Sequence, residues 1–575
     1  MESVWVTRRG WAGLFLIGAG LNIVAGLHGW PAVLAGHLND PDSYMRLERL
    51  SQGIAQGQLV NLVARDDSGA GVMVEWSCLL DVLLWLMAVP LSVFIGWRPA
   101  LFAAGVALGP IGVGCLALAL AFAVRPLVKG EYLWAAAGAA ALLPGLQIFA
   151  APGVVHYHIL LLALIALTFG LVARSWQGDG GYAVLAGLAG GAAIWMTPET
   201  MPFVLMIYAA LLFRWLERPI TGAMLGCAAG FAGMVSFACA VDPPEGGSGV
   251  IETDRLSLVY VVLGMLLLAG ALALWQMRGW RAGPRRICGT ALMAGLMLGW
   301  IALFPKVAMG PYGLMDAAQR RMFFGAIMET QPARSPGDFI RFLLPGLVAM
   351  LYLGWRAAYG GRQTWLWGYA TACAAVALLL GMKFVLFVEF SAGLAAGLLP
   401  VMLADISARL KAIPAAAAAA RLALIFVFLL ATRTPLLHKA KAEALPPSPS
   451  CDLLHIGPML APFAGKVVLA DVSATPELLY RTGILTVGSL YQHGVPGFLR
   501  ARAAWRSVPG AKAPPELAAA QARLILFCPA PGRYALVADL PPDTLWDALD
   551  HNRIPGWLKL RAEDGGSGWE LFQLR

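Results

Sequence analysis

The sequence predicts a polytopic α-helical membrane protein followed by a small soluble α/β domain. Three observations carry this. Of 575 residues, 59% are hydrophobic and 13% charged, with a mean hydropathy of +0.70, whereas about a quarter of an average soluble chain is charged. Apolar runs of roughly 20 residues recur along most of the length, each long enough to cross a bilayer as a helix. Basic residues gather in every second loop between those runs, which is the positive-inside pattern. The net charge of +9 therefore reports orientation and is no nucleic-acid footprint.

Taken in order, spans are expected near 11–34, 99–123, 131–150, 156–174, 182–197, 199–213, 219–240, 256–277, 287–305, 338–356, 363–381, 383–403 and 415–433. Arg8 and Arg9 precede the first run as in a signal peptide, but no small-residue cleavage site precedes the acidic cluster at Asp40, so the first span is read as uncleaved. Arg8/Arg9, Arg125/Lys129, Arg174, Arg214/Arg218, Arg278 to Arg286, Arg356/Arg362 and Arg409/Lys411 then share the inner side. Counting residues 76–97 as a crossing would invert every later loop. With Glu75, Trp76, Asp81 and Trp85, this segment is instead expected to lie at the interface. The count becomes about thirteen spans, N-terminus inside and C-terminal domain outside.

Residues 1–437 form the membrane domain, with outer loops 35–98 and 306–337. After the linker signal Pro446-Pro447-Ser448-Pro449-Ser450, residues 445–575 change character: Lys466–Asp471 and Ala522–Cys528 read as short buried strands, and Pro476–Tyr480 suits a helix. Six cysteines lie in or beside apolar runs as small hydrophobes. Cys451 and Cys528 lie in the soluble part, and their spacing leaves pairing open.

Chemistry-bearing residues collect on the expected outer face. Asn39-Asp40-Pro41-Asp42-Ser43-Tyr44 puts two carboxylates directly after the first apolar run, where unpartnered acids are costly. His156-Tyr157-His158 follows a Pro-Gly turn, Glu199 ends Trp195-Met196-Thr197-Pro198-Glu199, and Glu329 lies in loop 306–337. Carboxylates and imidazoles from separate loops are what a divalent metal needs, oxygens suiting Mg²⁺ or Mn²⁺ and imidazoles shifting preference toward Mn²⁺ or softer ions. Arg320, Arg321, Arg334 and Lys383 could bind phosphate. Each feature also has a plainer reading: a solvated loop for the aspartates, boundary residues for the histidines, a helix cap for Glu199, and lipid headgroup contacts for the arginines.

These motifs resemble the GT-C membrane glycosyltransferases, and within them the catalytic subunit of single-chain oligosaccharyltransferases. Asn39–Tyr44 resembles that family's first acidic motif, which implies a metal-binding and catalytic role for Asp40 with Asp42. Gly153–His158 resembles its second motif with His156 and His158 in place of aspartates. Ala326-Ile327-Met328-Glu329 resembles the TIxE motif, implying metal binding and acceptor gating by Glu329. Gly381-Met382-Lys383-Phe384 resembles a basic-aromatic motif that contacts donor phosphate. The chain has no Trp-Trp-Asp-Tyr-Gly; Tyr491-Gln492-His493 stands at a comparable place. The resemblance implies transfer of a sugar or glycan from a polyprenyl phosphate or diphosphate to an acceptor lipid, glycan or protein. It also implies a divalent cation (Mg²⁺ or Mn²⁺) and residence in a bacterial inner membrane with a periplasmic C-terminal domain. Two other classes stay open: a transporter or flippase for a lipid-linked or polyanionic substrate, and a GT-C scaffold without catalysis.

Overall fold

The structure, a computed structural model, describes residues 8–176, 180–333, 335–359, 364–433, 450–529 and 542–575. Arg334, Arg362 and the expected linker at 446–449 lie outside the described residues. Among the described residues, nine helices are long and apolar enough to cross a membrane: Trp97–Val124, His158–Ser175, Pro198–Glu217, Thr221–Val241, Leu258–Gly279, Ala282–Leu303, Pro336–Tyr359, Trp365–Lys383 and Val385–Arg409. Leu79–Ile95, Gly180–Met196 and Pro414–Leu430 are apolar but shorter. Arg8–Ala25 opens the described chain.

Two of the expected spans are interrupted. The first ends at Ala25, and a turn leads into Trp30–Leu34. The third splits into Trp134–Leu142 and Pro144–Gln147. Proline disfavours helical backbone at the residue before it, and Leu143 is accordingly extended (φ −70°, ψ 126°).

Helices approach closely where side chains vanish. A Cβ on Gly187 would lie 2.1 Å from the Cys227 carbonyl oxygen, and one on Gly230 would lie 2.3 Å from that of Val184. Gly180–Met196 and Thr221–Val241 therefore touch backbone to backbone, the close packing that small residues permit between membrane helices.

Leu79–Ile95 is tied down near both ends. The Cys78 amide just before it donates to Asp242 at 2.8 Å. After it, Arg98 donates to the Tyr480 carbonyl. At 17 residues it is short of the roughly 20 that a crossing needs. Asp81 in its first turn pairs with Arg46 (3.0 Å) and Arg49 (2.6 Å) of helix Pro41–Gln56, all three nearly solvent-free. Arg49 also donates to the carbonyls of Trp76 (2.8 Å) and Ser77 (3.3 Å), and the Arg46 guanidinium lies 4.4 Å from the Trp76 ring centroid.

Between these helices runs a hairpin, β1 (Leu62–Val63) and β2 (Val72–Met73). The C-terminal domain is a five-stranded sheet of β3 (Val467–Leu469), β4 (Leu485–Thr486), β5 (Leu524–Phe527), β6 (Leu558–Asp564) and β7 (Trp569–Leu574), in the order β4-β3-β5-β7-β6. β3 is parallel to β4 and β5, while β7 is antiparallel to β5 and β6. β3 and β5 are buried throughout, so they read as continuous apolar runs.

The hairpin grips this sheet. Arg65 donates to the carbonyls of Thr482 (2.6 Å), Ile484 (3.0 Å) and Leu479, and to Glu48 Oε1 (2.7 Å). Its own carbonyl accepts from the Thr486 amide at 3.0 Å. Phe323, from the expected loop 306–337, packs on Phe498 with ring centroids 5.7 Å apart.

Cys451 and Cys528 are disulfide-bonded across 77 residues. Closing a loop of this length stabilises by about 4 kcal/mol in the chain-entropy account. The double variant Cys451→Ala/Cys528→Ala should therefore lower the unfolding temperature of the C-terminal domain, followed by protease resistance of the full chain on heating. An unchanged profile would show that the bond adds no stability.

Candidate functional site

Helix-capping chemistry places the first acidic motif. Asp40 has extended backbone (φ −148°, ψ 160°) and caps helix Pro41–Gln56 by accepting from the Ser43 amide at 2.9 Å and the Ser43 hydroxyl at 2.7 Å. Pro41 fills the first helical position, where a missing N–H is harmless. Ser43 Oγ accepts from the Val155 amide at 2.7 Å, and the Asn39 amide donates to the Gly153 carbonyl at 3.0 Å. Gly153 has φ +78°, and a Cβ on it would lie 3.0 Å from Val33 and 3.2 Å from the Asn39 amide nitrogen. Only glycine suits this crossing of two loops.

This crossing sets His156 Nε2 3.0 Å from Asp40 Oδ1 and 3.9 Å from Asp42 Oδ2. The His158 ring stacks 5.6 Å from that of His156, 4.5 Å from Tyr157 and 4.1 Å from Phe149. Two ligand sets share His156: in Asp40, Asp42 and His156, and again in His156, His158 and Glu329, one ligand atom per residue lies within 4.8 Å of the others. Mixed carboxylate and imidazole donors fit Mn²⁺ or Zn²⁺ better than the all-oxygen shell that Mg²⁺ prefers.

Charge is strongly coupled here. Burial opposes charge on His156, but Asp40, Asp42 and Glu329 outweigh it and raise its pKa to about 9. Burial also works against the Asp40 carboxylate, yet the His156 charge and the Ser43 hydrogen bonds hold its pKa below the ordinary value. Asp42 is pushed up by burial and by Asp40. Glu329 is pushed up to about 7 by burial, with Asp42 and Asp40 adding to the rise against His156. At 3.0 Å, His156 and Asp40 thus each favour the other's charged form.

The other expected residues divide. Tyr491 donates to Asp42 Oδ1 at 2.9 Å, bringing the C-terminal domain to the first motif. His493 Nε2 lies 2.8 Å from Asp254 Oδ2, and Glu199 lines a cavity beside Tyr157. Lys383 ends its helix 5.1 Å from the Phe384 ring centroid; around it, the Ala333 amide donates to the Met382 carbonyl and the Val385 amide to that of Gln331. Arg320 bonds back to the Asp316 carbonyl and Arg321 is exposed. Among the described residues, no hydrogen bond or ion pair links Arg320, Arg321 or Lys383 to Asp40, His156 or Glu329. Arg334 lies outside the described residues.

Sequence reasoning missed Glu389. Its Oε1 lies 2.9 Å from His158 Nδ1, with both side chains nearly solvent-free. A carboxylate on one ring nitrogen fixes an imidazole's tautomer and orientation, leaving the other nitrogen for a ligand. The signal was available: Glu389 is a lone acid in the apolar run Val388–Leu403.

No protein-family model and no curated protein matches the sequence. Solved structures do match in fold. The apo crystal structure of the Archaeoglobus fulgidus oligosaccharyltransferase aligns with a TM-score of 0.71 at 13% identity, covering 91% of this chain and 70% of that one. The same organism's oligosaccharyltransferase AglB, in complex with an inhibitory peptide and a dolichol-phosphate, aligns at 0.70 and 14% identity, covering 90% and 69%. A complex of the Archaeoglobus enzyme with Zn and sulfate aligns at 0.64 and 15% identity, covering 89% and 67%. On these alignments the chain has the GT-C, oligosaccharyltransferase-like fold.

Proposed function

We propose that this chain is a glycosyltransferase that moves a sugar or glycan from a polyprenyl phosphate or diphosphate to an acceptor on the outer face of a bacterial inner membrane, where its C-terminal domain lies. The observation that carries this reading is the convergence of Asp40, Asp42, His156, His158 and Glu329, from three separate stretches of chain, on two ligand sets that share His156. The structural relatives that bind a dolichol-phosphate or zinc support the donor class and the cation.

Asp40 with Asp42 and His156, and Glu329 with the two histidines, are the residues that would hold a divalent cation. Such an ion supplies charge neutralisation at a departing phosphate. The remaining work falls to the chain. Asp42, with its raised pKa and its hydrogen bond from Tyr491, is placed to orient an acceptor and take its proton. Lys383 is the cation offered to the donor phosphate at the end of its helix. The segment that carries Glu329 packs on the C-terminal domain through Phe323, and over a bound donor it would exclude water.

A radiolabelled polyprenyl-linked sugar, presented to the full chain in vesicles, tests this. EDTA should abolish transfer, and Mn²⁺ or Zn²⁺ should restore it better than Mg²⁺. A chain that binds the lipid donor yet transfers nothing with any of these ions is the scaffold instead. Donor movement across the vesicle without sugar transfer would make it a flippase.

A further inference from the structure

A second polar cavity lies beside the candidate site. It is small, about 40 Å³, and is lined by Glu75, Trp76, Tyr157, Glu199, Asp254 and Gln492, among others. Tyr157 stands between His156 and His158, and Gln492 follows Tyr491, which holds Asp42. The cavity is thus lined by sequence neighbours of the candidate site's residues but uses different side chains.

Glu75 Oε2, Asp254 Oδ1 and Gln492 Oε1 are buried acceptors without a hydrogen-bond partner among the described residues. The Asp254 side chain is 2% exposed, its other oxygen being taken by His493. Buried acceptors are normally satisfied, so three orphans around one cavity mark the place of a donor-rich ligand. Glu75, Glu199 and Asp254 stand against His493 and the Arg46 guanidinium on the Trp76 ring, so acidic groups still outnumber basic ones around the cavity and favour a cationic ligand. Glu75 also carries a pKa pushed up to about 7 by burial, a carboxyl that gains from a cation. The ligand is no metal ion: Glu75, Glu199 and Asp254 do not form a group with ligand atoms within 4.8 Å of one another. That volume admits one small polar head rather than a whole ligand.

From this geometry we infer that the cavity bounded by Glu75, Glu199, Asp254 and Gln492 binds a primary ammonium group carried by the acceptor substrate. Its assignment to the acceptor rests on the glycosyltransferase reading; the ammonium specificity does not. An amino sugar and a lysine-like side chain share this chemistry, and the test separates them.

The full chain in detergent is titrated, by equilibrium dialysis, with two matched pairs of probes: glucosamine against glucose, and Nα-acetyl-lysine amide against Nα-acetyl-norleucine amide. One amine should bind at least about tenfold more tightly than its neutral partner, and the pair in which this happens names the source. Glu75→Gln and Asp254→Asn should each remove the preference, while Asp40→Asn should keep it. Equal binding within both pairs overturns the inference, as does a preference that survives both cavity variants. Should Asp254→Asn fail to fold, Glu75→Gln and the pairs on the unaltered chain decide. An ammonium preference in a chain that transfers no sugar keeps the cavity and removes only its assignment to an acceptor.

Discussion

Exchanging Asp40 for asparagine is expected to lower sugar transfer by about 10²–10³-fold, the usual loss when one electrostatic contact to a reacting group is removed. The choice of asparagine matters. Asp40 is also the cap of helix Pro41–Gln56, and asparagine caps as well as aspartate, whereas alanine costs about 1 kcal/mol of helix stability. Asp40→Asn therefore removes charge from the His156 pair (3.0 Å) and leaves the Ser43 amide bond (2.9 Å) in place. Asp40→Ala should show the same loss of transfer plus a lower unfolding temperature. Turnover of a radiolabelled donor in vesicles, beside thermal unfolding in detergent, separates the two effects. An asparagine variant within a few-fold of the unaltered chain takes Asp40 out of the mechanism.

The largest effect on stability is expected at Asp81. It is the carboxylate between Arg46 and Arg49, with side-chain exposures of 3%, 2% and 0%. Replacing it by alanine leaves two guanidinium groups three residues apart on one helix, out of water and without a counter-charge. Breaking a buried pair by removing one partner costs about 3–5 kcal/mol, against a total stability of about 5–15 kcal/mol for a typical domain. The damage should spread to function, because the strained helix carries Asp40 and Asp42 at its start. The control is Glu217→Ala, which breaks the half-exposed Arg214–Glu217 pair and should cost under about 1 kcal/mol. Thermal unfolding of both variants in detergent reads the difference. An Asp81→Ala chain as stable as the Glu217→Ala chain would mean the arginines find water or another anion.

Different parts of the molecule were legible to different degrees. Helical spans declare themselves because every backbone group in lipid must be satisfied within its own segment, which forces long apolar runs. Their interruptions are harder: Pro144 breaks a run that hydropathy alone shows as continuous. Asp40 and Asp42 stood out as acids directly after an apolar run, and the structure sets them against His156. The partners of that site were less visible. Glu389 meets His158 across 231 positions, and Asp254 meets His493 across 239. No local pattern encodes such pairings; only the packed helices do. Arg320 and Arg321 stand out by charge alone; their helix packs on the C-terminal domain through Phe323, and Arg320 donates to the Asp316 carbonyl.

The Arg65 clamp bears on how the protein is made. One side chain near the start of the chain bonds carbonyls 414, 417 and 419 positions later. While the ribosome is still working, that guanidinium and the carboxylate of Glu48 have no distant partner to close on. The first loop must wait, half-assembled, until the last quarter of the polypeptide has been made and folded. Contacts of such long sequence separation form late. A chain truncated before residue 479 should thus persist as a target for membrane quality-control proteases, with Asp40 and Asp42 in place on an unfinished mouth.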